Sequence, residues 1–212
     1  MKVKRFVYMI VGILLIGICV ASYRLAVFGV DPFTCMNLGI SGFIGMSFGN
    51  WQLIMNIAIL IVVFFTVRHC IGLGTIVNMV GVGYIADFLC WLVKEQLQVS
   101  VTMPLRILFL AVGMLFASLG AAMYMTADLG IAPYDSVAFI IQKLTHEEVS
   151  FRLGRVISDV TVMLVGVIFC MLTGNSIWTV VGIGTVINAV CNGPLIQVFR
   201  SKFEKTMVQN DE

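Results

Sequence analysis

The sequence predicts an all-α membrane protein. Its six transmembrane helices form two inverted three-helix repeats, with a short proline-containing re-entrant or interfacial segment after the first helix of each. Three observations predict this. Hydrophobic residues make up 60% of the chain and charged residues only 11%, with a mean hydropathy of +1.04. Soluble domains carry roughly 25% charged residues, so a water-facing surface cannot be built from this inventory. Six apolar runs approach the length needed to cross a bilayer, about 20 residues at helical rise. The two halves of the chain also match one another.

The runs are taken in order. Residues 6–23 carry no charge and follow Lys2, Lys4 and Arg5. This start has the look of a secretory signal, but the run is longer than a signal core, and it has a counterpart later in the chain. Residues 51–67 are uncharged and end at Arg68-His69, and residues 70–93 contain one charge, Asp87. These three spans make up the first repeat, residues 1–103. In the second repeat, residues 104–200, a span at 107–127 follows Pro104, which suits a first helical turn. Residues 156–172 contain Asp159, and residues 177–199 are uncharged and stop at Arg200. Residues 201–212 are read as a cytoplasmic tail.

Lysine and arginine fix the expected orientation. With the N-terminus inside and six crossings, Lys2, Lys4, Arg5, Arg68, Lys143, Arg152, Arg155, Arg200, Lys202 and Lys205 lie inside. Arg24, Lys94 and Arg106 lie outside, a split of 10 against 3. Eight crossings, with 34–48 and 134–144 also spanning, would give 11 against 2, so charge does not separate the two topologies. Length does, because these segments are short and hold Asn37, Gln142, Lys143 and several glycines. Both termini are expected in the cytoplasm.

The repeat is read from identities. At an offset of 101, residues 10–33 align with 111–134 without a gap, and eight of 24 positions are identical: Val11/Val112, Gly12/Gly113, Leu14/Leu115, Ala21/Ala122, Tyr23/Tyr124, Ala26/Ala127, Gly29/Gly130 and Pro32/Pro133. At an offset of 110, Ile71-Gly-Leu-Gly-Thr-Ile-Val-Asn78 aligns with Val181-Gly-Ile-Gly-Thr-Val-Ile-Asn188, followed by Gly83/Gly193. An offset of 103 sets Gln52 on Arg155 and Asn56 on Asp159, each pair spaced i, i+4 on one helix face. Three spans per copy is an odd number, which turns the second copy over in the membrane. Such repeats recur in secondary transporters, whose sites lie between the copies and are lined by interrupted helices.

The segments Asp31-Pro-Phe, Gly49-Asn-Trp-Gln-Leu, Ile71-Gly-Leu-Gly-Thr-Ile-Val-Asn-Met and Val82-Gly-Tyr-Ile-Ala-Asp-Phe88 resemble the YczE/YitT-type bacterial membrane proteins. The resemblance runs over residues 10 to 199 and favours the YczE branch, since many YitT-type proteins carry a soluble C-terminal domain. It implies a multi-pass protein of the bacterial plasma membrane and supplies neither a substrate nor functional residues.

Candidate site residues come from the duplicated and intramembrane polar positions. Pro32 and Pro133 interrupt helix bonding, and Asp31 and Asp135 flank them, suited to cations or protons or simply to capping a helix. Thr75, Asn78, Thr185 and Asn188 sit in the Gly-x-Gly-Thr-x-x-Asn segments. There they either bond helix to helix or line a cavity with helix N-termini facing an anionic group. Asn56, Arg155 and Asp159 complete the set, with Arg155 one turn from Asp159 to offset its charge. Asp87 should face away from Asn78. Thr145-His-Glu-Glu148 has the spacing of a capping box, and Trp51, Trp91 and Trp178 suit interfacial anchors. The six cysteines show no metal or redox spacing and read as packing residues.

No dinucleotide or phosphate-loop pattern, Gly-x-Ser-x-Gly elbow or His-Glu-x-x-His motif occurs, so no enzyme activity, cofactor or metal is expected. A net charge of +2 gives no nucleic-acid footprint. Expected partners are the lipid bilayer, a small solute or ion, and a second copy or another membrane protein. The leading function is transport of a small solute or ion. The alternative is an accessory or scaffold protein of a membrane complex.

Overall fold

The computed structural model describes residues 2–174 and 176–208. Eight α-helices are recorded: α1 (Lys2–Ala26), α2 (Pro32–Ile44), α3 (Phe48–Thr66), α4 (Leu73–Trp91), α5 (Met103–Ala127), α6 (Val137–Leu144), α7 (Phe151–Leu172) and α8 (Ile183–Val208). A π-helical turn (Leu92–Gln96) extends α4, and 3-10 turns precede α4, α6 and α8. Five stretches are long and apolar enough to cross a membrane: Val3–Ala26, Phe48–Thr66, Leu73–Gln96, Met103–Ala127 and Leu153–Leu172. The expected sixth, in α8, is not among the five. That helix holds Pro194 and runs into Arg200, Lys202, Glu204 and Lys205. Residues 209–212 of the expected tail lie outside the described residues.

The solvent logic is inverted relative to a soluble protein. Asn37, Gln52, Asn56, Thr75, Asn78, Ser118, Thr185 and Asn188 are buried, while Phe65, Leu73, Leu164, Ile168 and Ile183 are exposed. In the Leu153–Leu172 window only 17% of residues are buried. Faces that apolar are stable only against lipid. The polar side chains turn inward because hydrocarbon offers them no partner.

The central contact is α1 on α5. A Cβ on Gly12 would lie 2.8 Å from the Gly120 carbonyl oxygen and 3.1 Å from Tyr124 Cβ; one on Gly113 would lie 2.7 Å from the Tyr23 ring. Residue numbers rise on one helix as they fall on the other, so the two run antiparallel. Glycine permits this approach because no Cβ holds the backbones apart, the usual basis of membrane-helix packing. Helix α4 packs on α1, α8 on α5, and α2 along α7. The last pair touches at Gly39 and Gly166, where a Cβ on Gly39 would sit 2.4 Å from the Gly166 carbonyl oxygen. Phe43 meets Phe169 farther along. Helix α2 therefore runs parallel to α7.

The segments expected to be re-entrant or interfacial are the short helices α2 and α6. At 13 and 8 residues they reach roughly 20 and 12 Å at 1.5 Å per residue, well short of a bilayer core. Asp31 caps α2, its Oδ1 accepting the Thr34 amide at 3.0 Å, with Pro32 in the first turn. The first half of α2 is buried and its C-terminal end, from Gly42 to Met46, is exposed, so this helix starts inside the protein.

Three local expectations are corrected. The spans expected from residues 70 and 177 start as helices at Leu73 and Ile183, because Gly72 and Gly182 are extended or turning residues whose amides bond to Thr75 and Thr185. Thr145 does not open a helix. It closes α6, and Ser150 caps α7 by accepting the Leu153 amide. The threonines of the duplicated motifs do not join helix to helix; they hold loops, as described next.

Candidate functional site

Two loops are tied down by the Gly-x-Gly-Thr segments in the same way. The Gly74 amide donates to the Leu129 carbonyl and the Gly184 amide to the Phe28 carbonyl, both at 2.7 Å. The Thr75 hydroxyl donates to the Ile131 carbonyl at 2.8 Å and the Thr185 hydroxyl to the Val30 carbonyl at 3.0 Å. The Ile131 amide reaches the Cys70 carbonyl at 2.9 Å and the Val30 amide the Val180 carbonyl at 3.0 Å. Every member of one set maps onto the other by the offsets of 101 and 110 read from the sequence. Gly29 and Gly130 have φ of 97° and 113°, a region that strains residues with a Cβ. Pro32 and Pro133 follow three residues later, and Pro133 is fully buried. The N-termini of α4 and α8 thus each bind a loop carbonyl, that of Leu129 and that of Phe28.

Pinning the loops places the starts of α2 and of the turn before α6 beside a cavity of about 240 Å³, lined by α1 to α5, α7, α8 and that turn. Of the residues singled out from sequence, Asp31, Asn56, Asn78, Asp135, Arg155 and Asn188 line it. Pro32, Thr75, Pro133 and Thr185 do not, since they set the loop backbone instead. Asp159 stands behind the lining. Its Oδ1 accepts the Tyr134 hydroxyl at 2.5 Å, and its Oδ2 accepts from Arg155 Nε at 3.3 Å. Asp87 is elsewhere, as its helical register required. It pairs with Arg24 at 2.7 Å and accepts the Gly49 amide at 2.6 Å, joining α1, α3 and α4.

Arg155 is held by two carboxylates, because its Nη1 also donates to Asp135 Oδ1. Its guanidinium lies 4.8 Å from the Tyr134 ring centroid, and Tyr134 stacks on Phe33 with centroids 4.4 Å apart and planes 13° off parallel. A guanidinium over an aromatic face gains roughly 0.5–2 kcal/mol, so the ring helps fix a charge that would otherwise be costly here. Across the cavity the Tyr23 hydroxyl donates to Asn188 Oδ1 at 3.3 Å, and Ser118 donates to Asn192 Oδ1 at 3.0 Å.

The tyrosines Tyr23, Tyr124 and Tyr134, together with Phe33, Thr34, Gln52 and Asn192, were not among the expected site residues. A signal was available for most of them. Tyr23/Tyr124 is an identical pair in the alignment at an offset of 101, Phe33/Tyr134 is an aromatic pair in the same alignment, and Gln52 shares a helix face with Asn56. Asn192 had no such signal, since its counterpart at the same offset is Val82.

Residues 3–201 match the family described as a family of unknown function, DUF6198. The chain is 25% identical over 203 residues to the uncharacterized protein YyaS of Bacillus subtilis, covering 95% of this chain and 94% of that one. It is 27% identical over 196 residues to an uncharacterized protein of Haemophilus influenzae, covering 92% and 83%. It is 22% identical over 200 residues to the uncharacterized membrane protein YczE of Bacillus subtilis, covering 92% and 85%. No solved structure matches. The resemblance to YczE read from the motifs agrees with these relatives, and the chain belongs to the DUF6198 family.

Proposed function

We propose that this protein transports a small solute or ion through a site between two inverted repeats, with both termini in the cytoplasm. The observation that carries this reading is the central cavity, lined by polar side chains from both halves of the chain. Burying that many amides and charges is costly in a membrane protein unless the space is wet or occupied. The cross-matching loop bonds support two copies of one unit, and the antiparallel α1 and α5 support their opposite orientation. Short helices that begin beside a cavity are the arrangement by which transporters present a site near the bilayer midplane. The bias of lysine and arginine supports the cytoplasmic termini.

The experiment is accessibility from the two sides of the membrane. Asn56→Cys and Asn188→Cys are made singly in a version whose six cysteines are replaced, and reconstituted in vesicles. Transport predicts that a membrane-impermeant thiol reagent reaches each position from both sides, as the cavity opens alternately. Labelling from one side only, or from neither, would favour an accessory role without a transport cycle.

A further inference from the structure

The cavity is not neutral. Asp135 and Asp159 share the one guanidinium, Arg155. Asp31 and Asp135 are the carboxylates of the wall, with Asp159 behind it, and among the described residues no salt bridge is recorded for Asp31. Its carboxylate is held by Thr34, whose amide donates to Oδ1 at 3.0 Å. Two carboxylates thus line the cavity and a third backs it, around the guanidinium of Arg155.

Two polar atoms on lining residues are buried without a partner: the Tyr124 hydroxyl and Gln52 Oε1. Their residues are 5% and 6% exposed. An unpaired buried polar atom is uncommon, and an ordered water or a bound group is one way to satisfy it. The matching Tyr23 hydroxyl, by contrast, already bonds to Asn188. Tyr124 and Asn78, at the corresponding positions, have no such bond recorded.

We propose that the cavity binds a small organic ammonium cation, with Asp31 as its counter-charge and the Tyr124 hydroxyl accepting one of its hydrogen bonds. This assignment rests on the cavity being a solute site. An anion would face two lining carboxylates, with the guanidinium of the lining, Arg155, already bound to Asp135 and Asp159. A bare divalent ion takes six or more oxygens in a tight shell, and the described residues contain no cluster of three acidic, histidine or cysteine side chains able to hold one. An ammonium needs only acceptors, which Asp31 and Tyr124 offer, and aromatic faces, which Phe33 and the tyrosines offer. The volume of about 240 Å³ compares with about 30 Å³ per water, which leaves room for a few non-hydrogen atoms and some water.

The test is equilibrium binding to the purified full chain in detergent, by calorimetry. Methylammonium, ethanolamine and putrescine are compared with methanol, ethylene glycol, glycolate and sodium chloride at matched ionic strength. At least one amine should bind saturably, and at least tenfold more tightly than any neutral or anionic probe. Asp31→Asn preserves the cap, since asparagine caps as well as aspartate, and should weaken that amine roughly ten- to a hundredfold, the loss of one charge-assisted hydrogen bond. Tyr124→Phe removes an unpaired hydroxyl, so it should leave the empty protein as stable or more so while weakening the amine. A purely structural tyrosine would show the opposite pattern. No preference for amines, tighter binding of glycolate, or an equal response to sodium chloride would each overturn the assignment. Binding does not depend on movement across a membrane. A protein that binds amines without two-sided accessibility retains this inference and loses the transport reading, and one with two-sided accessibility that prefers anions does the reverse.

Discussion

Replacing Gly130 by alanine tests how the loops are held. Gly130 has φ of 113°, and a Cβ there would lie 2.5 Å from Thr75 Oγ1, 2.6 Å from the Gly72 amide nitrogen and 2.7 Å from Gly72 Cα. Two of those atoms are backbone at the start of α4 and cannot swing aside. The strained backbone costs about 1–3 kcal/mol for a residue with a Cβ. Overpacking a close contact adds about 1–3 kcal/mol. Gly130→Ala should therefore destabilise the protein by about 2–6 kcal/mol. Gly29→Ala should match it, since its φ is 97° and its Cβ would meet Thr185 Oγ1 and Gly182 at 2.3 to 3.1 Å. Gly42→Ala is the control. It lies within α2, nothing comes within 4 Å of its Cβ, and alanine gains about 1 kcal/mol of helix propensity over glycine. Equilibrium unfolding in mixed detergent micelles, followed by tryptophan emission, measures all three. If Gly130→Ala costs less than about 1 kcal/mol, or no more than Gly42→Ala, the loop is not pinned by backbone contact and the reasoning fails.

Three further outcomes follow from the same geometry. Thr75→Val should cost about 2–4 kcal/mol in the same unfolding assay, because it strands the Gly72 amide and the Ile131 carbonyl; a loss below about 0.5 kcal/mol would mean water or a shifted loop replaces both bonds. Arg24→Gln and Asp87→Asn should each destabilise the protein and show a coupling of about 1–3 kcal/mol in a double-mutant cycle, since their side chains are only 17% and 24% exposed. Additive losses would mean no ion pair forms. Arg155→Lys should be destabilising despite its kept charge, because a lysine ammonium cannot present Nε to Asp159 and Nη1 to Asp135 while lying flat on Tyr134; unchanged stability would reduce this network to a point charge.

Legibility differed by kind of residue. Asp31 as a helix cap, Arg155 beside Asp159, and Asp87 turned away from Asn78 were all readable, because each depends on spacing within one helix or turn. Thr75 and Thr185 were flagged but given the wrong partners. Their bonds run to loops 56 and 155 residues away, and no local pattern encodes such a distance. The second carboxylate on Arg155 was missed for the same reason, since Asp135 reaches it from a different element across 20 residues. Gly39 and Gly166 matter through the packing of α2 along α7, a contact between distant segments that no local pattern encodes.

What the sequence determined by itself is the solvent and the secondary structure. With 11% charged residues and long apolar runs, only lipid-facing helices satisfy the backbone, and the recurring Gly, Thr, Asn and Pro positions mark where those helices start and stop. What only the tertiary structure decided is which polar side chains meet. Periodicity fixes a residue's angle on its own helix but says nothing of the neighbour opposite. The cavity joining Asp31, Tyr124, Asn188 and Arg155 exists because α1 and α5 cross closely through glycines and the pinned loops set the short helices beside them.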